Sequence, residues 1–117
     1  MQVGSAVATG MRISLHNDPP VIPEEPLRNI SVAAMRVESS GRMLALKERL
    51  AVDQAVRAQT MDAVWWLFVD DVIGSLEVGK YAAMVVLSAD LRTVLPERIA
   101  DLKVRATFLT NRQVYPQ

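Results

Sequence analysis

Cysteine is absent from the 117 residues. Disulfides and thiolate-bound metals are therefore excluded, and a reducing compartment fits. Histidine occurs once, at His16. One imidazole falls well short of the three or four protein ligands of a tight zinc site. An excess of charge is missing too, because thirteen Lys and Arg balance thirteen Asp and Glu. No basic field exists to hold a phosphate backbone, which argues against a nucleic-acid partner. Long apolar runs are lacking. Ala82 to Leu87 falls far below the ~20 residues that cross a bilayer, so no membrane partner is expected. MQVGSAVATG has neither the basic start nor the strong apolar stretch of a secretory signal. These absences describe a soluble, cytoplasmic protein. Half of the residues are hydrophobic, which rules against disorder and supplies one small domain with a modest core. There is no internal repeat and no low-complexity segment.

The lone histidine stands in SLHNDPPVIPEEP, residues 14–26. Before it, Gln2 to Thr9 reads as the last turns of a helix, with Gly10 as its stop. Met11 to Leu15 reads as a short strand with Met11, Ile13 and Leu15 on one face. Pro19, Pro20, Pro23 and Pro26 make the next segment a rigid loop. Pro26 suits the first turn of a helix over about 26–38, with Leu27, Ile30, Ala34 and Val37 on one face and Ser39-Ser40-Gly41 as its end. Further helices are predicted over 51–60 and 63–68, with Asp62 as an N-cap between them. Ala82 to Leu87 reads as a buried strand, and Leu91 to Leu102 as a linker with a helical turn near Pro96. Val104 to Leu109 and Gln113 to Tyr115 read as strands joined by a turn at Asn111-Arg112. This order is α+β as it stands. A lone strand at the front has no evident neighbour in the chain, so the pattern is that of the end of something larger.

Other residues read simply. Trp65 and Trp66 on a short apolar helix are core and interface anchors in preference to a ligand platform. Lys80 follows Gly79 without a glycine-rich loop around it, which makes it a turn lysine and not a phosphate ligand. Arg36, Arg42, Arg49 and Arg57 are solvated charges with partners such as Glu38 and Glu48. The scattered methionines are core filler.

Four stretches carry a resemblance when taken in order. They are SLHNDPPVIPEEPL, ERLAVDQAVRAQTMDAVWWLF, GSLEVGKYAAMVVLSADLRTV and VRATFLTNRQVY. Together they resemble the amidohydrolase superfamily, in the branch called amidohydrolase family 3, over nearly the whole chain. The resemblance implies an α/β fold, specifically the C-terminal piece of a (β/α)8 TIM barrel with strands of a composite β-sandwich. Residues 1–73 would end the barrel region, with its last strand at 11–15. Residues 74–117 would give the sandwich strands.

The same resemblance places Asp18 at the strand tip as the general base and proton shuttle beside a metal-bound water. Asp18 would then be a metal-site residue only in a complete enzyme. His16 matches a position where relatives also carry histidine. It is a candidate to orient Asp18 or touch substrate, against the plainer reading of a packing or hydrogen-bonding side chain. The implied cofactor is zinc or another divalent metal in the complete enzyme, with none for this chain alone. The implied substrate is a small molecule with an amide-type C–N bond. Two departures stand out. Ala83 replaces the aspartate that follows alanine in the family's Gly-Lys-x-Ala-Asp pattern, which predicts altered packing in the sandwich. The family's other metal ligands, a His-x-His, a carboxylated lysine and two further histidines, belong to regions this chain does not match. The reading is therefore the C-terminal portion of a metal-dependent amidohydrolase, inactive alone. Its rivals are a non-catalytic α+β module that forms a homo-oligomer or pairs with another chain, and one half of a split hydrolase completed in trans by a missing N-terminal part.

Overall fold

The computed structural model describes residues 2–38 and 40–116. Four short helices come first, α1 (Val3–Ala8), α2 (Pro26–Met35), α3 (Val52–Gln59) and α4 (Met61–Trp66). Three strands follow, β1 (Met84–Leu87), β2 (Val104–Leu109) and β3 (Arg112–Tyr115). They form one antiparallel sheet in the order β1-β2-β3. Two 3₁₀ segments, Leu46–Glu48 and Pro96–Asp101, complete the architecture. Among the described residues no helix is long and apolar enough to cross a membrane.

The helices form where the sequence supplies their ends. Pro26 occupies the first turn of α2, where its missing N–H costs nothing and its fixed φ is already helical. Arg36 ends that helix in the left-handed region at φ 59°, and its N–H closes onto Val32 O at 2.7 Å. The helix therefore stops before Val37, which instead forms an isolated bridge with Met43. Of the expected Ser39-Ser40-Gly41 stop, Ser39 lies outside the described residues. At α3, Gln54 Oε1 accepts the Ala51 N–H at 2.9 Å and satisfies a donor that the helix cannot.

The core lies among these helices. Ile30 and Ala33 of α2 meet Ala55 of α3, Leu50, Val3 of α1 and Ile99 of the second 3₁₀ segment. The alanines let the helices approach closely, and Ala55 and Ala58 are wholly buried. Ser31 Oγ donates to Pro96 O at 2.8 Å and pins the 3₁₀ segment against α2. That segment is more than the single turn expected inside a linker.

The attachment of α1 depends on a residue far away in sequence. Glu48 accepts from Ser5 N–H at 2.8 Å and from Ser5 Oγ at 2.6 Å. The carboxylate thus caps a helix whose own N-cap residue, Gln2, offers no side-chain bond. Gly4 permits the approach, since a Cβ there would lie 2.8 Å from Glu48 Cα. Glu48 is buried, so the expectation of a solvated partner for the arginines is corrected. Glu38 does pair with Arg42, at 2.9 Å. Arg49 instead donates to Met35 O, and Arg36 is buried.

Several other expectations need correction. Residues 11–15 form no strand, because among the described residues no other strand lies beside them; the run bonds outward through Met11 N–H to Ala6 O at 3.2 Å and Leu15 N–H to Ala58 O at 3.3 Å. Asp62 is not an N-cap. It sits inside the first turn of α4, buried, and binds Arg57 Nε at 3.1 Å. Trp65 and Trp66 stack edge to face at 5.1 Å, but Trp66 is 53% exposed and belongs to no core. Val85 and Val86 of β1 are 51% and 46% exposed, so the apolar run is a strand but not a buried one. The hairpin turn falls one residue early, at Thr110 and Asn111. Both take positive φ, the geometry that a two-residue turn between twisted strands demands.

Candidate functional site

The sole histidine and its neighbouring acid lie on the extended run that leaves α1 and enters the proline loop. The alternation of the run half-buries Ile13, Leu15 and Asn17 and leaves His16 and Asp18 exposed. The loop is then folded back by its own polar groups. Asp18 O accepts from Val21 N–H at 2.9 Å and from Ile22 N–H at 3.3 Å. Asn17 Nδ2 donates to Pro23 O, which ties the two ends of the loop together. Asn17 Oδ1 is buried without a hydrogen-bond partner. Asn17 is thus the positioning residue that sequence reasoning passed over. Its signal was present, since Asn before Asp-Pro-Pro is turn chemistry.

The structure separates His16 and Asp18 in role. His16 Nδ1 lies 2.9 Å from Asn17 O, so the imidazole is held by the backbone between the two residues and not by the Asp18 carboxylate. His16 also borders a cavity of about 430 Å³ between the loop and α2. Leu15, Val21, Ile22 and Pro23 line it from the loop, and Val32 and Ala33 from α2. Asp18 is not part of that wall. Its side chain is exposed.

Among the described residues no group of three or more His, Cys, Asp or Glu is placed to hold a metal ion. His16, Asp18, Glu24 and Glu25 are the His and carboxylate donors of this loop, and they do not converge into such a group. The chain's own residues therefore do not fit a metal centre by themselves. What the loop supplies is an exposed carboxylate on a backbone tied at both ends, beside an apolar cavity. Such a carboxylate can take a proton from water and return it to a leaving group.

Lys80 has the structural role expected of a turn lysine. Its Nζ donates to Asp70 O at 2.6 Å and Ser75 Oγ at 2.8 Å, and pairs with Glu77 at 2.9 Å. Ser75 and Lys80 together hold the Glu77 carboxyl below the usual range.

Comparison with known proteins agrees across the chain. A sequence model of the amidohydrolase family matches residues 1–115. Protein LONG AFTER FAR-RED 3 of Arabidopsis thaliana is 31% identical over 105 residues, covering 89% of this chain and 18% of that protein. A crystal structure of an amidohydrolase from Thermotoga maritima MSB8 is similar with a TM-score of 0.73 and 22% identity, over 98% of this chain and 26% of that one. This chain thus spans about a fifth of the curated relative's length and about a quarter of the solved structure's.

Proposed function

Because this chain belongs to the amidohydrolase family, we propose that it is the C-terminal portion of a hydrolase of amide-type C–N bonds in small molecules. In this reading residues 11–15, unpaired here, would pair as the last strand of a TIM barrel only within the complete enzyme, α2 to α4 close it, and β1 to β3 belong to a sandwich. Two features support it. The 11–15 run is extended but has no strand beside it, and the apolar faces of the sheet lack cover among the described residues.

Asp18 carries the chemistry in this reading. Its carboxylate takes a proton from the water that attacks the amide carbon, as a C–O bond forms. It then gives that proton to the nitrogen as the C–N bond breaks, so the base ends as it began. Asn17 keeps the turn closed so that Asp18 is held at the loop mouth. In the family a divalent metal, zinc among the candidates, supplies activation of the water. Its ligands would come from outside this chain, and no step here is routed through it.

The observation that carries the proposal is the family match over 1–115, with Asp18 at the mouth of a tied loop. The test is Asp18→Asn in the enzyme that contains this sequence. The expected loss in kcat is about 10²-fold or more, with substrate binding retained. Unchanged turnover would sink the assignment. The chain by itself should show no amidase activity and no stoichiometric zinc after dialysis; one zinc per chain would contradict this.

A second reading has its own support. Leu67, Phe68, Leu76 and Val78, in the segment that follows the tryptophan helix, are all exposed. Such apolar surface suits a partner, either a second copy or a separately encoded N-terminal half that completes the enzyme. An antibody to the C-terminal tail separates the possibilities. A native product near 12.9 kDa favours a module or split hydrolase, and a product several times heavier favours one continuous enzyme.

A further inference from the structure

Helix α4 ends on a residue that its own geometry disfavours. Phe68 takes φ 58°. Its N–H closes onto Trp65 O at 3.0 Å, and Val69 N–H reaches back to Val64 O at 3.1 Å. These paired bonds put Phe68 in the left-handed position just past the helix. α1 ends by the same pair of bonds, from Gly10 N–H to Val7 O at 2.9 Å and from Met11 N–H to Ala6 O at 3.2 Å. There the left-handed residue is a glycine, at φ 84°. Glycine has no Cβ to clash at such a position, whereas a bulky side chain is strained there. The phenylalanine ring gains little burial within this chain, because Phe68 is 86% exposed. A large apolar ring on a strained backbone, turned to water, points to a use outside this chain.

The end of α4 is also seated on the run that lacks a strand neighbour. The Arg12 guanidinium lies 4.7 Å from the centre of the Trp65 ring. Trp66 shares with Met11 and Ile13 the wall of a hollow of about 340 Å³. Whatever pairs with residues 11–15 would therefore arrive beside Trp66, two residues before Phe68. This chain spans 26% of the solved amidohydrolase it resembles. In a protein of that build most of the polypeptide lies beyond these residues and is free to supply the neighbour.

We propose that Phe68 is the anchor by which this region docks onto the rest of the hydrolase, its ring entering an apolar recess there. The identity of the partner rests on the hydrolase reading; the exposed ring and its left-handed backbone rest on α4 itself. Burial of a whole phenylalanine side chain outweighs the left-handed cost. Phe68 is then destabilising in this chain alone and stabilising in the assembled protein.

That reversal of sign is the test, read by thermal unfolding of Phe68→Gly. In the 117-residue chain the variant should melt about 4 °C above the wild type; a lower melting temperature would mean that the ring packs within the chain, and would overturn the proposal. In the enzyme that contains this sequence it should melt about 3 °C below the wild type, or lower still; an unchanged or higher value there would also refute docking. The enzyme decides alone if the isolated chain shows no cooperative melt. Phe68→Ala keeps the backbone cost and removes the ring. It should bring the isolated chain no gain and leave the enzyme less stable than Phe68→Gly does; equal stability of the two variants would remove the strain on which the argument stands. Sedimentation tests the other occupant. The isolated chain should be a monomer, and a dimer that Phe68→Gly dissociates would assign the ring to a second copy instead. Failure here is distinct from failure of the hydrolase reading. Turnover lost in Asp18→Asn, with an enzyme stabilised by Phe68→Gly, would keep that reading and remove this one.

Discussion

The helices and the sheet of this chain are built from equally apolar sequence, yet they end in opposite states. The helical part buries Val3, Ile30, Ala33, Ala34, Leu50, Ala55 and Ala58, and draws in Ile99 from the 3₁₀ segment between β1 and β2. The three strands bury no residue fully. A cleft of about 700 Å³ separates the sheet from α2 and α3, with Val85, Leu87 and Val104 on one wall and Leu27, Ile30 and Val56 on the other. Hydrophobic content alone does not make a core. A helix buries its stripe against another helix a few residues away, whereas a sheet needs a second layer on each apolar face. The helices have that neighbour within the chain, and the strands do not.

This contrast can be broken by four substitutions or conditions. The largest effect belongs to Ile99→Ala, which empties a wholly buried site. It should cost about 2–5 kcal/mol in chemical denaturation; a loss below about 1 kcal/mol would mean that the helical core is loosely packed. Gly4→Ala comes next. The new methyl would meet backbone atoms of Glu48, which cannot swing aside as a side chain could. A loss of about 1–3 kcal/mol is expected, together with lost hydrogen-exchange protection at Ser5; retained protection would show that α1 docks without close contact.

Acid provides the third probe. The Ser5 hydroxyl, and then the Ser5 amide, hold the Glu48 carboxyl below its ordinary value of 4.5. A depressed folded value means that the unfolded chain takes up its proton first as pH falls. The bond therefore contributes fully above the ordinary glutamate range and is lost as pH drops through the lower, folded value. Ser5 protection should fall over that window, and Glu48→Gln should flatten the dependence. A Ser5 signal indifferent to acid in the wild-type chain would refute the cap. The smallest effect is assigned to Val86→Ala in β1. Half-exposed already, it should change stability by no more than about 0.5 kcal/mol. A cost like that of Ile99→Ala would erase the distinction between the two regions, and would mean that the sheet is covered in solution.

How much of this was legible in the sequence follows from the range of the interactions. α2 could be read from Pro26 and the Leu27, Ile30, Ala34 spacing, because both signals act within a turn or two. The hairpin could be read to within one residue, since Asn111 favours positive φ through its own short polar side chain. The 11–15 run showed the alternation of a strand, but pairing is decided by a neighbour, and local pattern says nothing of one. The same gap explains β1, where MVVL has strand chemistry without the layer that would bury it. Glu48 was misread for a different reason. Its partner lies 43 residues away, and a glutamate between lysine and arginine in KER looks solvated. At the candidate site, the positions of His16 and Asp18 were visible and the turn chemistry of Asn17 was there to be read, while the cavity behind His16 exists only once the loop meets α2.

The Glu48 contact also sets an order of events. α1 has six residues, too few to be helical in isolation. Its anchor is made 43 positions later in translation. A ribosome that has synthesised α1 has therefore not yet made what holds it, and the segment must wait, unstructured, until residue 48 has cleared the exit tunnel. A nascent chain stalled before Glu48 should therefore leave Ser5 open to solvent exchange.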